Sequence, residues 1–366
     1  MDNRKSVYQR VADKLDQMPN GFPATESGVE IKLLKKIFRD PVDAQHWLLL
    51  DKMPEPIAVI AERFGKSVAE AQDIVDGLMG KGLINAMKLE GIFHFHVQPF
   101  VIGMYEKNYL YGLVDKEYSE LFEEYLPFWA EEYGSCEPTE VRVIPVGETV
   151  TTDKKIFVYD DARKIIEAGK SFRLLPCVCR HQKETIGEPC EQGHSVEEGC
   201  IGISYTDEVD EQYFPPMAKR ATKEEALARL DRAAEAGLVH QSYNIEANNH
   251  FLCNCCSCCC GLIRGINEFK IPHMVTRSNF LAQIDADLCS ACGTCADERC
   301  QFNAITEGDS LYEVDPEICT GCGVCVSACD DEAIILVSRP ENELNLPLKD
   351  LQQFVQERTL SRTGQV

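Results

Sequence analysis

Polar and apolar residues follow short helical and short strand patterns along the whole chain, which predicts a mixed α and β protein. Ser67 is placed to cap a helix that runs to Leu78, and Glu70, three residues on, completes a capping box. Residues 85–97 then alternate in polarity on either side of a turn, the pattern of a β-hairpin. These elements predict a small domain of helices and a hairpin over residues 1–111.

The order helix, turn, helix, hairpin in this first region resembles a winged-helix fold, and most winged helices bind DNA. The helix that would enter the DNA groove carries Glu70, Asp73 and Asp76, with cations only at its ends. Because acidic side chains repel phosphates, the sequence favours a structural or protein-docking role over DNA binding.

The middle region, residues 112–276, alternates helical and strand patterns. A helix is predicted over Leu113–Leu126, with Pro127 ending or kinking it. A second helix is predicted over Lys223–Ala236, with Thr222 as its N-cap. The alternation predicts an α/β fold for this region, which is also rich in cysteine.

An internal repeat marks the C-terminal region. Residues 284–305 align with residues 314–334, and three cysteines of each copy superpose at a spacing of 30 residues. Each copy carries the run C-x2-C-x2-C followed by a fourth cysteine. Such a run wraps three thiolates around one [4Fe–4S] cube, and in two-cluster ferredoxins the fourth cysteine binds the other cube. The predicted ligands are Cys289, Cys292, Cys295 and Cys329 for one cluster, and Cys319, Cys322, Cys325 and Cys300 for the other.

This repeat resembles bacterial two-cluster ferredoxins, which implies their fold and a role in electron transfer. It departs from their pattern in two places. Four residues, where three are usual, separate Cys295 from Cys300, and Gln301 and Asp330 stand where a proline usually follows the last cysteine. Two zinc ribbons fit poorly, because structural zinc is typically held by paired C-x2-C elements.

A second concentration of cysteines lies in the middle region, six of them within eight residues. Thiolates so close repel one another unless a cation compensates their charge. Ten thiolates exceed what one zinc ion uses, so iron–sulfur clusters are favoured over zinc and over a redox-active thiol or persulfide site. The predicted metal ligands are Cys177, Cys179, Cys190, Cys200, Cys253, Cys255, Cys256, Cys258, Cys259 and Cys260.

Ligand counting allows one or two further clusters, since one cube uses four of these cysteines and two cubes use eight. If residues 253–260 are turn-like or helical, their cysteines fall on two faces, and the upstream cysteines complete two sites. One face would carry Cys253, Cys256 and Cys259 or Cys260, and the other Cys255 and Cys258. Cys136 stands apart and is predicted to be a free, buried thiol.

Two motifs of the middle region, Cys177-Val178-Cys179-Arg180 and the run from Cys253 to Cys260, resemble a family of anaerobe iron–sulfur proteins. Its members carry a winged-helix-like N-terminus and a C-terminal two-[4Fe–4S] ferredoxin domain. The resemblance covers most of the chain and implies ferredoxin-like electron transfer. The predicted organisation is multidomain α+β: a winged-helix-like domain at 1–111, an α/β cysteine-rich domain at 112–276, a ferredoxin-like domain at 277–340 and a helical tail at 341–366.

Composition and charge restrict the compartment and the class of partner that the sequence predicts. The 366 residues include no apolar run near the roughly 18 that cross a bilayer, and the polar N-terminus is unlike a secretory signal. The 19 cysteines then fit a reducing compartment, so the protein is predicted to be cytoplasmic. The net charge of −23 argues against a nucleic-acid partner, and it fits docking onto a basic patch of a redox partner or simply a solvated acidic surface.

The favoured function is electron relay within an anaerobic oxidoreductase complex, with a flavoprotein or reductase subunit as redox partner. The sequence has neither a G-x-G-x-x-G element nor a P-loop, so electrons are expected from another protein. One alternative is a reductase with its own active site at the middle cysteines, and another is an iron–sulfur redox sensor. An electron-transfer subunit is favoured over a stand-alone enzyme, and the oligomeric state is left open.

Overall fold

The computed structural model describes residues 5–146, 161–206, 212–309 and 311–363. Contacts divide the chain into two compact units, each described here by itself. Unit 1 comprises Met1–Tyr133, His181–Glu188 and Asp210–Ala218, and unit 2 comprises Gly134–Arg180, Pro189–Val209 and Lys219–Val366. The repeat region and most of the cysteine-rich region therefore share unit 2, while the predicted domain borders stay a prediction.

Unit 1 combines helices with a small antiparallel sheet. Its elements are α1 (Val7–Asp16), α2 (Val29–Phe38), α3 (Pro41–Leu49), β1 (Glu55–Pro56), α4 (Ile57–Phe64), α5 (Val68–Met79), β2 (Ile84–Leu89), β3 (Ile92–Val97), α6 (Tyr105–Leu110) and α7 (Lys116–Gly134). β2 and β3 form the predicted hairpin, and β3 also pairs with β1. Ser67 and Glu70 form the predicted capping box at the start of α5.

The helix α7 corrects one prediction. It continues through Pro127 to Gly134 and does not end near Leu126. Tyr125, Leu126 and Trp129 are buried around the proline, so side-chain packing holds the helix where a backbone N–H is missing. Neither this helix nor any other in the described residues is both long and apolar enough to cross a membrane.

The first part of unit 2 is built on an antiparallel sheet. Its elements are β4 (Val141–Ile144), α8 (Ala162–Ala168), β5 (Ser171–Leu174), α9 (Val178–Thr185, which continues into unit 1), β6 (Ile201–Ser204), β7 (Lys219–Ala221), α10 (Lys223–Glu235), β8 (Val239–Tyr243), β9 (Phe251–Cys255) and α11 (Gly261–Asn267). The strand order is β4-β8-β9-β6-β5-β7, and neighbouring strands run antiparallel. Helices and strands alternate as predicted, but the antiparallel pairing is that of an α+β arrangement.

Two helices pack against this sheet and close its core. Ile166 of α8 and Leu230 of α10 lie in one apolar cluster with Ile203 of β6. α10 begins at the predicted cap, Thr222. It is followed by Gly237 at φ +79°, a left-handed conformation that glycine adopts without strain.

The repeat region folds into two antiparallel strand pairs, followed by a C-terminal helix. Its elements are β10 (Phe280–Ile284), β11 (Ile305–Glu307), β12 (Tyr312–Val314), β13 (Ile334–Ser338) and α12 (Leu351–Thr363). β10 of the first copy pairs with β13 of the second, and β11 pairs with β12. Ile284 faces Ile334, and Val314 faces Ile305, which is the same pair under the sequence repeat. Each copy therefore needs the other to complete its sheet.

Candidate metal centres

The repeat region contains two cavities of the same size, about 340 Å³ each with the space at the mouth included. Each is lined by three cysteines of one copy and the fourth cysteine of the other copy. The cysteines are Cys289, Cys292, Cys295 and Cys329 in the first, called the outer cavity, and Cys300, Cys319, Cys322 and Cys325 in the second, called the inner cavity. The structure thus brings together each of the two sets that the spacing predicts.

Both cysteine loops start from an equivalent anchor. The backbone N–H of Asp285 donates to the carbonyl of Ala333, and that of Asp315 donates to the carbonyl of Ala304, both at 2.8 Å. Each aspartate carboxylate then accepts the N–H two residues further on, at 2.9 Å and 2.8 Å, which forms an Asx turn. Each loop is therefore fixed to the other copy before its first cysteine.

Glycine is required at one point of the second loop. Gly321 has φ +68°, and a Cβ there would collide with the Phe280 carbonyl and the Ser278 hydroxyl. The equivalent residue of the first loop, Ala291, has φ 57° but is exposed, so its side chain has room. The close approach of the second loop to β10, and not the turn alone, selects glycine.

The two cavities differ in exposure. Cys292 of the outer cavity is exposed, and the Thr294 backbone N–H lowers the pKa of its thiol. In the inner cavity Cys319 and Cys325 are buried, and burial raises the pKa of Cys322 to about 12. The lining of the outer cavity is therefore the more exposed one, whereas the residues that line the inner cavity are mostly buried.

Exposed acidic residues lie in the chain segments that line the outer cavity. One of them, Asp331, lines the cavity itself. We call the set the acidic rim: Asp285, Asp287, Asp297, Glu298, Asp330 and Asp331. The rim gives this opening a concentrated negative charge.

Six of the middle cysteines form one connected set, called the six-cysteine group. Their sulfur atoms interact in the order Cys177, Cys179, Cys260, Cys255, Cys253, Cys200. The last two sulfur atoms are 3.0 Å apart, yet both belong to free thiols. Cys136 is also free, but it is half-buried where the sequence predicts a buried thiol.

Local structure explains how these cysteines converge. Cys177 lies directly before α9, and Cys200 lies directly before β6. Cys253 and Cys255 both lie on β9, and they share one face because strand faces repeat every two residues. Cys260 is the N-cap of α11, so that helix begins at the group.

The protonation of this group reflects crowding. The pKa values of Cys177, Cys253 and Cys255 lie well above the usual thiol value, first because each donates a hydrogen bond to a neighbouring sulfur and then because each is buried. Without a cation these sulfur atoms keep their protons, and a metal ion bound among them would displace the protons. The donor set therefore fits a metal cofactor.

The remaining four middle cysteines form a tighter set, called the four-cysteine group: Cys190, Cys256, Cys258 and Cys259. Their sulfur atoms all lie within 4.8 Å of one another. The distances are 3.8 Å from Cys190 to Cys256, 3.5 Å from Cys190 to Cys258 and 3.7 Å from Cys258 to Cys259. Within the described ranges, no other group of three or more Cys, His, Asp or Glu residues brings its ligand atoms so close.

This grouping differs from the predicted faces of the cysteine run. The prediction places Cys253 with Cys256 and Cys255 with Cys258, whereas the structure places Cys253 with Cys255 and Cys256 with Cys258. The strand β9 ends at Cys255, and the chain turns before α11 begins at Gly261. No single helical period runs through the segment, so the helical rule for faces does not apply.

A buried arginine lies beside both groups. Arg180 is 1% exposed and donates to the carbonyls of Glu198 at 2.7 Å and Asn254 at 2.8 Å. Although burial lowers its pKa, the sulfur atoms of Cys177 and Cys256 raise it above the usual value. A fixed positive charge therefore offsets part of the negative charge of thiolates on either side.

Gln301 explains one departure from the ferredoxin pattern. It follows Cys300, is 3% exposed, and its side-chain oxygen accepts the Ser257 N–H at 2.8 Å and the Gln192 amide at 3.0 Å. Its side-chain nitrogen donates to the Gly237 carbonyl at 3.3 Å. A proline could make none of these bonds. Gln301 therefore joins the inner cavity to the loop that carries the four-cysteine group.

Gly199 is a site residue that the sequence analysis does not identify. A Cβ at this position would collide with backbone atoms of Leu175, Pro176 and Cys177. The only signal in the sequence is a glycine directly before a predicted ligand, Cys200. The missing side chain lets the segment before β6 lie against the segment before α9, which brings Cys200 toward Cys177.

If a metal cofactor occupies the six-cysteine group, we expect Gly199→Ala to lower the metal content of the chain by that cofactor and to leave the iron of the repeat region in place. Metal analysis of the anaerobically purified chain measures this change. Gly202→Ala is the matched control, because a Cβ there would meet Arg173 at an ordinary 3.4 Å. Unchanged metal content in Gly199→Ala would contradict the geometry described for this group.

Comparison with known proteins supports the ferredoxin-type motif. Residues 312–335 match the family model of the 4Fe-4S binding domain. This stretch contains Cys319, Cys322, Cys325 and Cys329. No curated protein and no solved structure matches the chain. The C-terminal region thus contains a 4Fe-4S binding domain, which together with the close cysteine group in the middle of the chain points to an iron–sulfur protein with an electron-transfer role.

Proposed function

We propose that the protein relays electrons as a subunit of an anaerobic oxidoreductase complex. The observation that carries this proposal is the pair of cavities in the repeat region. One opens at an acidic surface, and the other is buried and joined to the cysteine-rich region through Gln301. An electron relay needs both features, an end that a partner protein can reach and a connection to the interior.

Each cavity offers the donor set of one [4Fe–4S] cluster, four cysteines drawn from both copies of the repeat. Such clusters supply one-electron redox chemistry when bound. The chain orients the fourth ligand of each in the same way. The Ala304 N–H donates to the Cys300 sulfur at 3.1 Å, and the Ala333 N–H donates to the Cys329 sulfur at 3.3 Å.

The six-cysteine group fits a further iron–sulfur cluster. Six thiols exceed the four that one zinc ion takes, and their sulfur atoms extend as a chain of neighbours. Backbone N–H groups also point at this group, from Arg180 to Cys177 and from Ile263 to Cys260. Hydrogen bonds of this kind stabilise thiolate ligands of clusters.

The acidic rim is proposed as the docking surface for the redox partner, a flavoprotein or reductase subunit with a basic patch. Leu288, which is 53% exposed, lies between the rim residue Asp287 and the cavity residue Cys289 and offers an apolar contact there. Opposite charges speed the encounter of two proteins and fix their orientation. Salt should weaken this attraction, because ions screen exposed charges.

Unit 1 is proposed to be winged-helix-like and to act in docking, not in DNA binding. Its helix α5 exposes Asp73, and Asp76 accepts a hydrogen bond from the Tyr213 hydroxyl at 2.7 Å. The Tyr213 ring also contacts Phe93 and Phe95 of the hairpin, with centroids 4.9 Å and 5.7 Å apart. An acidic helix partly covered by its own chain is a poor reader of a DNA groove, which weighs against the redox-sensor alternative.

Crossed ligation, in which the fourth cysteine of each copy binds the cluster of the other copy, can be tested with pairs of substitutions. If Cys300 and Cys322 bind one cluster, Cys300→Ala combined with Cys322→Ala should cost one intact cube, no more than either change alone. Cys300→Ala combined with Cys292→Ala should cost two cubes, about eight irons. Mössbauer spectroscopy of the anaerobic protein counts the intact cubes.

The reverse result would contradict crossed ligation. If each copy held its own cluster, the pair Cys300 and Cys292 would cost one cube and the pair Cys300 and Cys322 would cost two. Cys136→Ala, which removes a free thiol outside all the groups, serves as the control and should leave every cube intact.

The relay proposal predicts that electron transfer to a basic acceptor depends on the acidic rim. Neutralising Asp287, Asp297 and Asp331 to asparagine should lower the second-order rate constant for reduction of a basic cytochrome about tenfold at low salt. The wild-type rate should also fall as salt rises, and the rate of the variant should change little. Stopped-flow absorbance of the reduced protein mixed with the cytochrome measures both rates.

The matched control neutralises three exposed acidic residues of unit 2 that lie outside the rim, Glu167, Glu224 and Glu246, for the same change in net charge. It should change the rate less than twofold, because these residues are not part of the rim. Equal effects from the two triple variants would show that only net charge matters, and would exclude the rim as the docking surface.

A further inference from the structure

The geometry of the four-cysteine group points to a site for a single metal ion, zinc or iron, held tetrahedrally by Cys190, Cys256, Cys258 and Cys259. We propose that this site is distinct from the clusters of the proposed relay and does not depend on that function. Its chemistry is that of a closed tetrathiolate centre, in which the protein supplies all four ligands.

The distances between the sulfur atoms carry the inference. Four thiolates placed tetrahedrally around one ion at a bond length of about 2.3 Å have sulfur atoms about 3.8 Å apart. The group shows 3.8 Å, 3.5 Å and 3.7 Å for three of its pairs, and all pairs lie within 4.8 Å. The four sulfur atoms are thus already spaced to share one ion.

A cube would need a wider arrangement. Its four thiolates bind four different irons and point away from one another, so all four together do not converge as closely as the four ligands of one ion. The cysteines of the outer and inner cavities show the wider case, since they line spaces of about 340 Å³. Among the described residues, only the four-cysteine group places all of its sulfur atoms close together.

The surroundings suit a buried thiolate centre. The backbone N–H of Gln192 donates to the Cys258 sulfur, and that of His194 donates to the Cys190 sulfur. Ala233 and Leu238 pack against the group and exclude water on that side. Backbone donors and apolar side chains around a metal site orient its ligands and control the access of solvent. Four thiolates around a divalent ion leave a net negative charge. The Arg180 guanidinium interacts with Cys256 and offsets part of that charge.

The position of the site gives it a role in the architecture. Cys255 and Cys256 are consecutive, as are Cys259 and Cys260, so the site adjoins the six-cysteine group directly. Ser257, between two of its ligands, donates to Gln301 beside the inner cavity. An ion held here would fix the distance between the six-cysteine group and the inner cavity. Zinc would act structurally, whereas iron would add a one-electron carrier.

X-ray absorption at the zinc and iron edges, recorded on the full-length protein purified without oxygen, tests the proposal. We expect one ion per chain with four sulfur neighbours at about 2.3 Å and no second metal close by. If the ion is zinc, the zinc edge gives this result directly. If it is iron, the oxidised protein should show the EPR signal of a mononuclear high-spin ferric site.

Variants separate this site from the clusters. Cys258→Ala should lose the single ion and keep the iron of the two cavities, whereas Cys200→Ala should lose iron from the six-cysteine group and keep the single ion. The proposal is overturned if the wild-type protein holds no mononuclear metal at either edge and Cys258→Ala loses about four irons, the content of a cube. Failure of the relay proposal would leave these measurements unaffected.

Discussion

Mutual repulsion of thiolates is the constraint on which unit 2 depends. All 19 cysteines are free thiols, and 18 of them lie in the two cavities and the two middle groups. Sulfur atoms this close stay protonated, or repel one another, until a cation lies among them. We therefore expect cofactor binding and folding to be coupled in this unit. The Arg180 guanidinium would then offset part of the negative charge that remains.

The same constraint explains how the parts of unit 2 are joined. Each cavity of the repeat is lined by cysteines from both copies, and the strands pair across the copies in the same way. Hydrogen bonds then tie the repeat to the cysteine-rich sheet. Gln301 accepts the Ser257 N–H and donates to the Gly237 carbonyl, and Arg299 donates to the Glu235 carbonyl at 2.8 Å. Residues beside the inner cavity are thus bonded to the segments that carry the middle cysteines.

The sequence predicts the repeat region well because its information is local. A run of three cysteines at fixed spacing, repeated after 30 residues, determines which sulfur atoms meet. The capping boxes at Ser67 and Thr222 are local as well, and both are present.

The division of the middle cysteines into two groups could not be predicted in this way. It depends on where β9 ends, which decides whether Cys253 and Cys255 share a face, and on long-range packing that sends Cys190 to one group and Cys200 to the other. The hydrogen bonds of Gln301 and the close packing at Gly199 could not be predicted for the same reason, since their partners lie far away in the sequence.

We propose that clusters in the two cavities, each held by both copies of the repeat, form the electron path of this protein. A crystal structure of the anaerobically purified protein, with anomalous diffraction recorded at the iron edge, would locate the irons. We expect a four-iron cluster in each cavity, bonded to Cys329 in the outer one and to Cys300 in the inner one. Iron bound by the four cysteines of a single copy, or zinc in place of iron in these cavities, would contradict it.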